Sequence, residues 1–193
     1  EQQMPDGPIR VRDTIVRLEV FEEAFARVFA GDHVVVELPT LDAEVGGERH
    51  AAVNDVVVAS SIVGRMIELG WGIGGEDLGV QPCDGVICST PSGSTGYNLS
   101  NGGPVLVWGL DAQALTFIAP HSLHARPLVV PRGRDVEIEN RTVDVPAQVL
   151  VDGRPIAELG TGDGVVARLG EQSTLLAHLP ESTFFRRYKE TFA

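Results

Sequence analysis

The densest run of chemically useful side chains is Asp84-Gly85-Val86-Ile87-Cys88-Ser89-Thr90-Pro91-Ser92-Gly93-Ser94-Thr95-Gly96-Tyr97. It reads as a strand that enters a loop of glycines and hydroxyls, followed by a helix start. Glycine lets backbone N–H groups and neighbouring hydroxyls come close to a ligand. No lysine follows the glycines, so the run is not a P-loop. The Gly-x-Ser-x-Gly spacing of a nucleophile elbow is absent too. The same residues also fit a polar loop that only caps a helix. A second candidate is Asn54-Asp55, two polar residues that interrupt the strand-like run 51–58. One Asn amide offers both a donor and an acceptor, which suits the edge of an adenine ring. A bulge or a strand end facing water is the plainer alternative. A third is Pro120-His121-Ser122-Leu123-His124-Ala125-Arg126-Pro127. Its two histidines lie three apart in a proline-bounded loop with no acidic or thiol partner at a matching interval. That favours backbone or ligand hydrogen bonding over zinc.

These residues need a scaffold, and the apolar periodicity indicates which kind. Val20, Phe21, Ala24, Phe25, Val28 and Phe29 share one helical face, and Gly31 supplies the stop. After Gly31 the period falls to two. Short strands are expected at 34–38, 41–45, 49–58 and 67–73, with turns at Gly46-Gly47 and Gly74-Gly75. Further strands are expected at 86–89, 115–118, 128–130, 136–138, 165–169 and 175–177. Asp152-Gly153 joins 149–151 to 156–159 as a hairpin. Near the end, Phe184, Phe185, Tyr188 and Phe192 share a helical face opposite Arg186, Arg187 and Lys189. The expectation is a mainly β fold, a multi-stranded β-sandwich with a few short helices.

Composition narrows the function classes. The chain has 193 residues, enough for one domain with a real core. Lys+Arg number 15 against 27 Asp+Glu, a formal net charge of −12, which argues against a phosphate-tracking nucleic-acid surface. The two cysteines, Cys83 and Cys88, cannot form a disulfide framework or a four-thiolate zinc site; a reduced cytoplasmic setting is expected. No targeting segment is read at the start. The most apolar stretch, 105–119, is broken by Asp111 and Gln113 and falls short of a bilayer span, so no membrane association is expected.

Taken together and in this order, the three polar stretches resemble the C-terminal domain of the NAD kinase family, ATP- or polyphosphate-dependent kinases that make NADP. The residues that carry the resemblance are Asn54-Asp55, Asp84-Gly85, Thr90-Pro91-Ser92-Gly93-Ser94-Thr95-Gly96-Tyr97, Ser100-Asn101-Gly102-Gly103-Pro104, and Pro120-His121-Ser122-Leu123 with Arg126-Pro127-Leu128. The family usually has Ala where Gly96 stands. The match extends from about Phe21 to the end, which leaves 1–18 as a linker or domain boundary and 19–193 as the NAD-binding β-rich domain.

The resemblance implies a set of NAD contacts. Asn54 and Asp55 would face the adenosine half, with Ser92, Thr95 and Gly96 lining the same pocket. Tyr97 and Ser100 would sit near the pyrophosphate or nicotinamide half. Asp84 and Ala119 would contact the nicotinamide side, partly across a subunit interface, with His121 a weaker candidate. It also implies a homo-oligomer, dimer or tetramer. The family's Gly-Gly-Asp-Gly motif, which binds the phosphoryl donor and carries the catalytic aspartate, belongs to an N-terminal domain that is missing ahead of Phe21. Thr161-Gly162-Asp163-Gly164 looks similar but sits between two strands, where it makes a simple turn. Gly72-Ile73-Gly74-Gly75 is likewise a hairpin turn. The expectation is therefore no catalytic residue and no metal ligand in this chain. Mg2+ or another divalent metal, and ATP or polyphosphate, would be held mainly elsewhere in the full enzyme. A non-catalytic nucleotide-binding or oligomerisation module and a lipid kinase relative are the alternatives.

Overall fold

The structure is a computed structural model that describes residues 9–11, 14–16 and 18–192. The expected linker 1–18 therefore lies largely outside the described residues. Within it, β1 (Ile9–Val11) and β2 (Thr14–Val16) pair antiparallel. The chain divides into two compact units, residues 1–36 with 175–193, and residues 37–174.

In the smaller unit, α1 spans Leu18–Phe29. Its phenylalanines stack along one side, Phe21 on Phe25 at 4.8 Å and Phe25 on Phe29 at 5.6 Å between ring centroids. Gly31, at φ +88°, ends the helix as expected. Its N–H donates to the Val28 carbonyl at 3.1 Å, and the Asp32 N–H donates to the Arg27 carbonyl at 2.9 Å, which satisfies carbonyls the helix leaves open. α3 (Phe184–Phe192) carries the expected aromatic ladder, with Tyr188 against both Phe184 and Phe192. The Arg27 guanidinium donates to Glu181 at 2.5 Å and to Asp32 at 2.6 Å, which lowers the Glu181 pKa.

The larger unit is built on two six-stranded antiparallel sheets. Its strands in chain order are β3 (Val34–Val45), β4 (Glu48–Ala52), β5 (Asp55–Ser60), β6 (Ile67–Ile73), β7 (Glu76–Cys83) and β8 (Gly85–Ser89). After the short helix α2 (Tyr97–Ser100) come β9 (Ala112–Ile118), β10 (Leu128–Pro131), β11 (Val136–Asn140), β12 (Ala147–Val151), β13 (Arg154–Leu159) and β14 (Gly164–His178). The first sheet has the order β10-β9-β8-β5-β12-β13, the second β4-β3-β14-β11-β6-β7. Their inner faces bury Val56, Val58, Val86 and Leu115 from one sheet and Leu41, Leu69, Val136 and Val165 from the other. Trp71 meets Phe117 edge-on across the interior at 5.3 Å. This is the expected β-sandwich with few helices.

Three details differ from the periodicity. The run expected at 49–58 is two strands: β4 pairs with β3 in the second sheet, β5 with β8 in the first. The chain changes sheets at Val53-Asn54, which is why polar residues interrupt an otherwise apolar run. β3 and β14 are each continuous where two pieces were expected, 34–38 with 41–45 and 165–169 with 175–177. β7 was not expected at all. It is an edge strand, mostly exposed, containing Gly79 and Pro82, and an edge strand need not show an alternating buried face. Among the described residues no helix is long and apolar enough to cross a membrane.

Candidate functional site

Three connections meet at one end of the first sheet because the register puts them there. Asp55 opens β5 opposite Ser89, the last residue of β8, and Val56 lies opposite Val151, the last residue of β12. The sheet-switching turn 53–54, the loop after Ser89 and the Asp152-Gly153 turn are therefore neighbours.

The central turn is held by its backbone from both sides. The Thr90 N–H donates to the Asn54 carbonyl at 2.9 Å, and the Thr90 hydroxyl donates to the Val53 carbonyl at 2.7 Å. The Ser89 hydroxyl also reaches the Asn54 carbonyl, at 3.3 Å. On the other side the Asp152 carboxylate accepts the N–H groups of Val53, Asn54 and Asp55 at 2.9, 2.7 and 3.1 Å. Gly93 presses on the same turn: a Cβ there would overlap the Asn54 backbone, with the carbonyl carbon 2.6 Å away. Only glycine allows that approach. The Asn54 side chain is half-buried, and its Oδ1 accepts from the Ser92 hydroxyl at 3.4 Å.

The loop itself is tied down from behind. Gly93–Thr95 forms one 3-10 turn and leads into α2. Buried Asn98 donates to the Ser94 and Pro104 carbonyls at 3.0 and 2.9 Å, and accepts from the Thr116 hydroxyl of β9 at 2.7 Å. The Ser94 hydroxyl donates to the Pro91 carbonyl and accepts the Leu106 N–H, both at 2.9 Å. Gly103 fits against this pair because a Cβ there would overlap Asn98 and stand 2.5 Å from the Thr116 hydroxyl. These buried polar groups find partners, as burial requires. The outward side chains of Thr95 and Tyr97 stay exposed, as does Gly96. A rigid floor thus presents a free hydroxyl and a phenol.

Tyr97 also lines a cavity of about 230 Å³ with Asp84, Ile118 and the loop 60–65. Asp84 is fixed by its backbone: its N–H donates to the Ile118 carbonyl and its carbonyl accepts from the Ser60 N–H, both at 3.0 Å. Ala119, which follows Ile118 directly, is exposed and has a positive φ of 42°, a conformation costly for a residue with a Cβ. Among the described residues, Arg65 is the one cation in the cavity wall.

The structure therefore brings Asn54, Asp55 and Ser92 together directly, with Thr95, Gly96, Tyr97 and Ser100 on the following turn and helix. Asp84 and Tyr97 share the cavity, whereas Ala119 and His121 do not line it. His121 is exposed, with its N–H on the Pro82 carbonyl at 2.9 Å. Sequence reasoning missed Arg65, which no motif marks, and read Asp152 only as a hairpin residue. Burial pushes the Asp55 carboxyl pKa up, and the charge of Asp152 adds to the shift. Cys83 and Cys88 are buried and their thiols are pushed up to about 12, so neither is a thiolate nucleophile at neutral pH.

The class defined by these features is a two-sheet β-sandwich domain whose strand ends converge on a glycine- and hydroxyl-rich turn. Comparison with known proteins is specific. Residues 53–179 match the ATP-NAD kinase C-terminal domain family, so the chain belongs to the NAD kinase family through that domain. It is 40% identical over 172 residues to an NAD kinase of Heliobacterium modesticaldum, covering 86% of this chain and 61% of that protein. An NAD kinase of Gemmatimonas aurantiaca is 35% identical over 176 residues, with 87% and 60% covered. Among solved structures, yeast NADH kinase complexed with NADH superposes with a TM-score of 0.78 at 25% identity, over 90% of this chain and 52% of that one. An NAD kinase from Archaeoglobus fulgidus in complex with ATP gives 0.72 at 25% identity, with 90% and 65% covered. The chain thus spans about three fifths of the length of these two curated relatives.

Proposed function

We propose that this chain is the NAD-binding domain of a protein that phosphorylates the 2′-hydroxyl of the adenosine ribose of NAD to give NADP. The observation that carries the reading is the Asn54 turn, clamped by Thr90 and Asp152 with Gly93 seated against it. Such a turn holds a bifunctional amide in one place, which is what recognition of a nucleoside needs. In this reading Asn54 and Asp55 take the adenosine, and Ser92, Thr95 and Gly96 wall the base. Tyr97 and Ser100 run toward the pyrophosphate. Asp84, Ala119 and His121 flank the nicotinamide end, with Arg65 offering a positive charge to the pyrophosphate from the cavity wall.

Phosphoryl transfer also needs a donor, a metal to bridge its phosphates and a group to orient the acceptor hydroxyl. Among the described residues no group of three or more His, Cys, Asp or Glu side chains has a metal-holding arrangement. The donor, ATP or polyphosphate, and its divalent metal belong in this reading to the remainder of a longer protein. The role of this chain is to bind and orient the acceptor. Self-association, with Asp84 near a partner's groove, is part of the same reading.

The test is calorimetric titration of NAD, with NADP formation assayed in parallel, for the full protein and for this chain. The full protein should form NADP, and this chain alone should form none above a no-protein control. A full protein that binds neither NAD nor NADH overturns the proposal. Light scattering at high concentration checks the oligomer, and a monomer would remove the shared-site part.

A further inference from the structure

The Asp152-Gly153 turn does more than close the β12–β13 hairpin. Asp152 has φ +47°, in the left-handed region that residues with a Cβ rarely adopt. With Gly153 at φ +76° it makes the two-residue hairpin turn that Asp-Gly, Asn-Gly and Gly-Gly all favour. What the aspartate adds is its carboxylate. Oδ1 accepts the Asn54 and Asp55 N–H groups at 2.7 and 3.1 Å, and Oδ2 accepts the Val53 N–H at 2.9 Å. The Asp152 N–H in turn donates to the Asp55 carbonyl at 3.0 Å. Three successive amides thus converge on one anion from the neighbouring strand. Charge-assisted bonds of this kind are shorter and stronger than those between neutral groups. Without them the sheet-switching turn would be fixed only through its carbonyls, by Thr90 and Ser89.

We infer that Asp152 is a positioning residue for NAD: its carboxylate gathers the Val53, Asn54 and Asp55 amides and so fixes the direction in which the Asn54 and Asp55 side chains meet the nucleoside. The inference rests on the NAD-binding reading above. Asp152 itself contacts no substrate in it. Its charge also opposes ionisation of Asp55, so the pair links the turn's shape to the protonation of a residue facing the ligand.

The test uses the full-length protein with Asp152→Gly and Asp152→Asn. Glycine relieves the positive φ and removes all three bonds, so poor folding is not the expected outcome. Asparagine keeps one carbonyl oxygen for the Asn54 and Asp55 amides. The NAD KM should rise about tenfold or more in Asp152→Gly and by less in Asp152→Asn, a loss expected when charge-assisted bonds of this strength disappear. The donor KM should stay within about twofold. Hydrogen exchange of a peptide covering 53–55 should quicken about tenfold while other strands of the sheet keep their protection. An unchanged NAD KM in Asp152→Gly overturns the inference. So does a parallel rise in NAD and donor KM with loss of protection throughout the sheet, which would mark a purely structural role. Wild-type protein that neither binds nor phosphorylates NAD defeats the proposed function instead, and the inference with it.

Discussion

Two concave regions of the larger unit invite comparison. One is the cluster of turns at the end of the first sheet with the 230 Å³ cavity beside it. The other, about 370 Å³, lies on the second sheet between β6, β7, β11 and β14, around Gly70, Gly72, Glu76, Asp77, Glu137 and Arg141. The larger cavity is lined by glycines of the two runs read as turns, Gly72 and Gly75 and Gly162 and Gly164, and several of its polar groups pair with one another, although Oε2 of Glu137 is buried without a hydrogen-bond partner. Arg141 pairs with Glu139 at 2.8 Å, and Glu137 accepts the Gly75 N–H at 3.2 Å. Its glycines make room on both counts: a Cβ on Gly70 would stand 3.0 Å from the Arg141 side chain, and one on Gly72 2.8 Å from the Glu76 carbonyl oxygen. At the turn cluster Gly93 makes way for the Asn54 backbone and Gly103 for the Asn98 and Thr116 side chains. Buried hydrogen bonds there lock the main chain, while the hydroxyls of Thr95 and Tyr97 are left outward. Volume alone would choose the larger cavity; the proposed site is set apart by a hydrogen-bonded main-chain frame with hydroxyls left facing outward.

If that contrast is right, substitutions in the two regions should behave differently. The largest effect is expected from Gly93→Ala. The new methyl meets the Asn54 backbone, which cannot rotate away as a side chain would. A loss of about 3 kcal/mol in denaturant unfolding is expected, at the upper end for overpacking, together with loss of NAD binding. A change below about 0.5 kcal/mol would show that the turn has slack and undo the claim of a rigid frame.

Next comes Asn54→Ala, which leaves the clamped backbone and removes the amide. NAD affinity should fall roughly 5- to 150-fold, the cost of about 1–3 kcal/mol for an unpaired polar partner. Thr95→Val, which keeps the shape and removes a hydroxyl, should fall toward the lower end. Affinities equal to wild type in both variants would mean that the groove is elsewhere.

Asp55→Asn tests the electrostatics. In the folded chain the Asp55 pKa is raised above its ordinary value of 3.8, by burial first and by Asp152 second. Above 3.8 the folded state holds this proton more tightly than the unfolded state. The group therefore favours folding at acid pH, and that contribution is lost as pH rises through the raised folded pKa. Asp55→Asn should be more stable than wild type at neutral pH, with the advantage shrinking as pH falls toward 3.8. Thermal melts across that range decide it, and an advantage that grows on acidification contradicts the assignment.

The smallest effect is expected in the larger cavity. Arg141→Ala breaks an exposed ion pair, so unfolding free energy should change by no more than about 1 kcal/mol. NAD affinity should stay within about twofold, a shift below about 0.5 kcal/mol. A tenfold loss would move the binding site to the second sheet and reverse the comparison.

The fold was legible in proportion to burial pattern. α1, α3, the Asp152-Gly153 hairpin and the buried strands could be read because apolar residues recur at the period of the element. β7 could not, because an edge strand facing water carries no such period. At the site, the run from Thr90 to Tyr97 and the Asn54-Asp55 pair were visible as polar residues set in apolar surroundings. Arg65 gave no signal, being one charge in a connecting loop. Asp152 gave half of its signal: aspartate before glycine between strands marks the tight turn that it makes, and nothing local marks its hold on 53–55.

By itself the sequence determined the class of fold, the family to which the domain belongs and the residue types offered to a ligand, because periodicity and motif order are properties of neighbours along the chain. Only the tertiary structure decided that the run 49–58 divides between two sheets at Val53-Asn54, and that Thr90 and Asp152 take hold of that turn from opposite sides. Those partners lie 37 and 98 residues from the groups they bind. Strand register, set by packing the sandwich core, brings them together, and no local pattern encodes it.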